Sequence, residues 1–480
     1  SFCLDFANSA DLGNDISSNN NDFTATSMTA VNQTGSSPSS AFCTWNPLRV
    51  NTQTQTFAEG NLRFSSTQTS TNPAATGNYG VSSGKFYWEV FVVAQGNTSN
   101  ILGICDTAAG LEDDTTALYA SALMYGYEFA GTKRNNNSSA SYGDSITTGD
   151  IVGVALDMDN GGVYFSKNGT FQASGDPTSG ASLTNAAFTG LNSAGSGVFQ
   201  PYYLAYSSGD GVANFGQSPT FNGQTTAGGN TDANGRGNFK HSVPSGYTAL
   251  TSANITEPSY QGIDYFAPTL YEGNGTGQRV GDFVPFTDAF NVANSAMFQH
   301  DEARALSRTA GAPSSSGGKK GTWSTWYKTA IIDTDNIFFD NGTTATNRFS
   351  LQMDASGQIV FSYAGTTILM TNADLKGGGL WRNLVLKVDT SLATASARAI
   401  MYIDGVEVTS FATDARASLT QDGELGYMDS GATQFVGSYN GSSANQWDGY
   451  LAETIFLDNQ FLSADSFGQL DTSTNKWVPK

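Results

Sequence analysis

Charge is what this sequence has least of. Only 13% of its 480 residues are Asp, Glu, Lys or Arg, against about 25% in ordinary soluble domains. Its polar surface therefore rests on Ser, Thr, Asn, Gln and Gly, residues suited to turns. Basic residues are scarcer still, 22 against 42 acidic ones, for a formal charge of −20. Only Lys133-Arg134 and Lys319-Lys320 are adjacent basic pairs. Nucleic acid and anionic membranes both need clustered cations, so both are disfavoured as partners. No apolar run approaches the roughly 20 residues of a membrane-spanning helix, and no signal peptide is present. The chain does not begin with Met, which points to a processed product or the ordered part of something longer. Three cysteines, Cys3, Cys43 and Cys105, make no disulfide framework. Cys3 and Cys43 could pair in an oxidising setting; three free buried thiols is the simpler expectation.

Helical periodicity is nearly absent too, with Asp301 to Arg308 the best helix candidate and equally readable as a turn and a strand. What is present is β-structure. Apolar residues alternate or run for four to eight positions between Gly, Asn, Asp and Ser clusters, the pattern of antiparallel strands. The 30 Phe, 20 Tyr and 7 Trp argue against disorder and for packed cores. Three textures divide the chain. Residues 1–50 hold a strand-like Phe2-Cys3-Leu4-Asp5-Phe6 and a turn-rich stretch from Asp11 to Asp22. Residues 51–258 carry regular short strands, with an exposed Gly/Asn-rich loop at 225–240. Residues 259–480 start a second β unit with a Gly/Ser insertion at 311–321. The predicted fold is all-β, two antiparallel sandwiches in tandem.

Catalytic chemistry is hard to find. Histidine, the commonest general base, occurs twice. His241 has no acid near it in sequence, and His300 precedes Asp301 without an evident nucleophile. Gly80-Val81-Ser82-Ser83-Gly84 matches G-x-S-x-G, but a turn and a strand surround it where a hydrolase elbow needs strand then helix. No zinc spacing exists, and Gly273-Asn274-Gly275-Thr276-Gly277 lacks the lysine of a phosphate loop. Asp157 and Asp159 have same-face strand spacing, yet Asn160-Gly161-Gly162 follows at once, so they frame a turn; Asp333 and Asp335 are similar. Glu89 lies in a strand without a visible partner. Calcium is the cofactor that the loops could hold, through Asp15, Asn19, Asn21 and Asp22 or through Glu112, Asp113 and Asp114. The same residues would serve equally as turn formers.

Recognition by loops remains. A sugar site joins an aromatic face to planar polar groups. Tyr125, Tyr127, Arg134 and Asn135 bring those types together around one loop, and Tyr202 is a further candidate. The alternative is that the tyrosines alternate into a core and Arg134 is a solvated cation.

Two resemblances join these residues. Gly84-Lys85-Phe86-Tyr87-Trp88-Glu89-Val90, Ile101-Leu102-Gly103-Ile104, Gly149 to Asp157 and Gly162 to Gly169 resemble, in order and spacing, a SPRY domain. That resemblance implies a β-sandwich that binds partners through its loops. Thr322-Trp323-Ser324-Thr325-Trp326, Leu380 to Leu386, Tyr402-Ile403-Asp404-Gly405 and Asp448 to Glu453 resemble a laminin-G-like, concanavalin-type jelly roll. Together with Leu4-Asp5-Phe6 to Asp15 and the tail Phe467 to Lys480, the set is similar to bacteriophage virion proteins. Ser466 departs from the tail pattern. This implies a non-enzymatic tail or fibre component on the virion surface, forming homo-oligomers with other virion subunits and adhering to a host surface glycan. It also implies that the N-terminal strand completes a sandwich. A subunit-cementing protein and a concanavalin-type glycan hydrolase or lyase are the alternatives.

Overall fold

The computed structural model describes residues 1–49, 54–68, 72–109, 120–255, 291–300, 302–311, 318–330, 335–341, 348–376, 379–426, 432–439, 442–471 and 476–480. Among these the fold is all-β, and the helical elements are single 3-10 turns. Of the two readings of Asp301 to Arg308, the turn and strand is the one observed, with a turn at 302–303 and the strand Ala305–Thr309. Four large sheets make two sandwiches.

A six-stranded and a nine-stranded sheet close the first. Lys85–Ala94 is central in the larger sheet, antiparallel to Ile151–Asp157 on one side and Asp210–Asn214 on the other. Its alternation sets the layers. Phe86, Trp88, Val90 and Val92 enter the core with Leu102, Ile104, Tyr127 and Tyr203 from the opposing sheet. Tyr87 points the other way, where Phe239, Tyr247 and Ala249 cover it. Both faces of this strand are thus dry, which is why its sequence reads as continuously apolar. Asn168 and Gly169, with φ of 48° and 82°, turn the hairpin between Gly162–Lys167 and Thr170–Phe171, a conformation Asn-Gly adopts at little cost. Asp157 caps its turn by accepting the Asn160 N–H at 2.9 Å.

Two eight-stranded sheets make the second sandwich, around Trp323, Tyr327, Phe339, Leu351, Phe361 and Leu384. It draws on both ends of the chain. Phe2–Leu4 pairs antiparallel with Gly449–Asp458, Gln33–Thr34 with Ser295–Phe298, and Thr24–Thr26 with Ala305–Thr309. Phe2, Leu4, Phe6, Leu12 and Phe23 are core residues of this unit. Cys43 and Trp45 instead join the first core. The 258/259 boundary falls outside the described residues.

The sandwiches meet along a polar seam. Lys328, 1% exposed, donates to the Phe42 carbonyl at 3.0 Å, and the Tyr450 hydroxyl donates to the Gly60 carbonyl at 2.8 Å. Gln299 accepts the Glu59 N–H at 2.5 Å. Buried Arg304 lies 3.3 Å from the Glu59 carboxylate.

Candidate functional site: the rim of the first sandwich

Strand alternation separates the five candidate side chains. In Met124–Glu128 the odd positions turn inward. Tyr127 is 0% exposed; its ring stacks 5.7 Å from Phe165, and its hydroxyl donates to the Asp144 carbonyl. Tyr125 stops at the rim, half-buried, edge-on to Phe188 and Phe199 at 5.2 and 5.7 Å. Burial, then the Asp106 charge, raises its pKa. The even positions face outward. Tyr202, Gly103, Gly126 and Arg134 form one cross-strand row. Tyr202 is only 1% exposed there, because Ile101, Cys105, Met124 and Leu204 build a second apolar cluster around it. Tyr127 and Tyr202 therefore offer no open stacking face, a correction to the sequence expectation. Apolar neighbours on the same face of this sheet, from strands distant in sequence, are the reason for Tyr202.

Arg134 is no solvated cation. Its guanidinium lies 2.8 Å from Glu128, whose other oxygen accepts the Thr132 and Ser139 hydroxyls at 2.6 and 3.2 Å. The Asn135 amide donates to the Ala122 and Met124 carbonyls at 3.1 and 2.6 Å. Sequence reasoning passed over Lys133, which donates to the Ala187 carbonyl at 2.7 Å with its ammonium 5.4 Å over the Phe188 ring. The rim thus joins Tyr125, Phe188, Lys133 and Asn135 in half-buried, pinned positions. No local motif announces Phe188, which arrives on the short strand Phe188–Thr189 paired with Gly162–Lys167.

A second polar centre overturns two sequence expectations. Glu89, 0% exposed, is fully partnered: it accepts the Tyr87 hydroxyl at 3.0 Å, the Lys240 N–H at 2.8 Å and the His241 N–H at 2.8 Å. His241 Nδ1 is 3.2 Å away. The missing acid for His241 lies 152 positions off in sequence. The carboxylate ties the 225–242 strap to the sheet, since a buried charge needs such donors.

The calcium candidates are spent on turns. Asp15 accepts the Cys3, Ser17 and Asn21 N–H groups. Burial works to raise its pKa, but these hydrogen bonds outweigh it and hold the carboxyl below its ordinary range. Asp22 accepts the Asp15 N–H at 2.9 Å. The Asn21 amide donates to the Ser1 carbonyl at 2.6 Å, and that of Asn19 to the Ser17 hydroxyl at 2.9 Å. Glu112, Asp113 and Asp114 lie outside the described residues, as does Asp333. Among the described residues no three His, Cys, Asp or Glu side chains converge as metal ligands. Cys3, Cys43 and Cys105 are free, and burial pushes the thiols of Cys43 and Cys105 up to about 12.

The SPRY domain family matches residues 85–218, the stretch that contains the rim and the central strand. These residues form a SPRY domain. Its β-sandwich is a protein-interaction module. ATP-dependent RNA helicase DDX1 of Xenopus laevis is 36% identical over 92 residues, 19% of this chain and 11% of that protein. The chain thus spans about a tenth of that relative's length. Among solved structures, the SPRY domain of human HERC1 is 20% identical, with 35% of this chain and 96% of that one covered and a TM-score of 0.27. Stonustoxin is 19% identical, covering 36% and 27%, with a TM-score of 0.28.

Proposed function

We propose that this chain is a non-enzymatic display protein of a virion surface, a homo-oligomer whose SPRY sandwich engages a host surface glycan at the rim. The observation that carries this reading is the pinned cluster of Tyr125, Phe188, Lys133 and Asn135. It sets an aromatic edge beside an ammonium and an amide, the combination that fixes a sugar by stacking and by hydroxyl hydrogen bonds. Such a small rim binds weakly per copy, so display in multiple copies would supply avidity. The part of the reading in which the N-terminal strand completes a sandwich rests on Phe2–Leu4, which lies in register with the Gly449–Asp458 strand.

A host-cell and glycan-array assay on the oligomeric chain tests it. Saturable binding without depolymerisation is expected. Sustained polysaccharide turnover would replace this reading with the enzyme. A cementing role is favoured by one observation, the exposed Leu380, Val406 and Leu470, 60%, 70% and 52% accessible. Protection of these three from hydrogen exchange only in assembled particles, with no glycan bound, would establish it.

A further inference from the structure

Residues 463–480 lie against the outer face of a second-sandwich sheet. Gly468–Asp471 and Lys476–Pro479 form a hairpin that, among the described strands, pairs only with itself. Apolar packing holds the segment down. Ala464 and Phe467 cluster with Val385, Ile455 and Leu457 of the sheet, and Trp477 packs against the cluster around Trp326. Trp477 Nε1 also donates to Asn383 Oδ1 at 3.2 Å.

This lid closes over an acid. The strand Gly449–Asp458 shifts register against Lys320–Thr329 between Ser324 and Trp326, and Glu453 takes a φ of 45° there. Such a bulge re-aims a side chain. Glu453 lines a small cavity of about 50 Å3, with Trp326 and Ile455 from the sheet and Phe467, Pro479 and Lys480 from the lid. It is half-buried, and it has no hydrogen-bond or ion-pair partner among the described residues.

The charged groups around it bring no relief. Asp5, next to the N-terminal strand, adds a like charge, and burial keeps the nearby Cys3 thiol protonated. Lys480 turns its ammonium to the Asp465 carbonyl at 3.0 Å. Lys387 lays its own over the Phe461 and Tyr402 rings, at 4.5 and 5.4 Å. The Asp465 carboxylate accepts the Ser463 hydroxyl. An ionised carboxylate without donors resists burial, and moving the lid away would return it to water.

We propose that residues 463–480 are a pH-gated lid, closed over protonated Glu453 in acid and loosened when Glu453 ionises. The strand that carries Glu453 is paired along both edges, so the self-paired lid is the part that yields. Burial, then Asp5, raises the carboxyl to about 7 from 4.5 with the lid closed. Closure is therefore fullest below about pH 4.5 and weakens as pH rises through about 7. Discounted for partial exposure, the opening equilibrium should rise about tenfold over that range. Opening bares Trp326, Val385, Ile455 and Leu457. This gate is independent of the SPRY rim.

Hydrogen exchange of the full chain at pH 4.5 and pH 8, corrected for intrinsic rates, tests it. Protection of 468–471 and 476–479 should fall about tenfold at the higher pH, while Lys320–Thr329 stays protected. Glu453→Gln should keep the lid protected at both pH values, with an unchanged melting temperature at pH 4.5. Asp5→Asn keeps the acceptor for the Ala7 N–H but removes the like charge, so the fall should shrink without vanishing. Equal lid protection at the two pH values in the wild-type chain would overturn the proposal. So would the same fall in Glu453→Gln, or a parallel loss of protection in Lys320–Thr329.

Discussion

The two sandwiches are built from different pieces of chain. The SPRY sandwich joins local hairpins with pairings that span some 60 to 160 positions between Thr56 and Ala249. The second recruits three strands from the first 34 residues to partners some 260 to 450 positions away. Local pairing incurs little loop-closure entropy, and distant pairing incurs more. The second sandwich should therefore be the more sensitive to changes at its ends, and the seam should decide whether the two melt together.

Breaking the seam should have the largest effect. Arg304→Met leaves Glu59, 6% exposed, buried without its cation. Removing one partner of a buried pair costs about 3–5 kcal/mol, and calorimetry should then resolve two transitions in place of one. Leu4→Ala comes next. Leu4 is 0% exposed, and the cavity should cost about 3 kcal/mol, with hydrogen exchange rising in the second sandwich while the SPRY strands stay protected. Glu89→Gln sharpens the other side of the comparison. It weakens charged hydrogen bonds worth about 2 kcal/mol, so the 225–242 strap should become protease-sensitive while the second sandwich is unaffected.

Smallest are the pH effects, which differ in sign between second sandwich and seam. Glu453 sits at a bulge with φ of 45°, and burial, then Asp5, raises its pKa to about 7 from 4.5. A raised value in the folded state means stability is full below about pH 4.5 and declines as pH rises to about 7. Partial exposure reduces this to roughly 1–2 kcal/mol, and Glu453→Gln should flatten the slope in denaturant midpoints. Burial lowers Lys328 from 10.5 to about 8. Its contribution is full above about pH 10.5 and is lost as pH falls to about 8, so Lys328→Met should remove a slope of opposite sign.

How much of this was legible in the sequence follows from distance along the chain. The run Gly84 to Val90 was legible as a strand from its residue types, but with both faces buried it did not tell which side meets the main core. Alternation placed Tyr127 inside only once the register of Met124–Glu128 was known. Tyr202 was not readable, because the apolar side chains that surround it come from other strands of its sheet, distant in sequence. Glu89 and His241 were each read as partnerless, since a contact across 152 positions leaves no trace in either neighbourhood.

The central claim is that the SPRY rim is the surface that binds a host glycan. The most direct measurement compares host-surface binding of the chain with that of Tyr125→Ala, alongside their melting curves. Tyr125 is half-buried, so the account predicts a tenfold or greater loss of binding with a melting shift of only a few degrees. Undiminished binding in a folded Tyr125→Ala variant would contradict it.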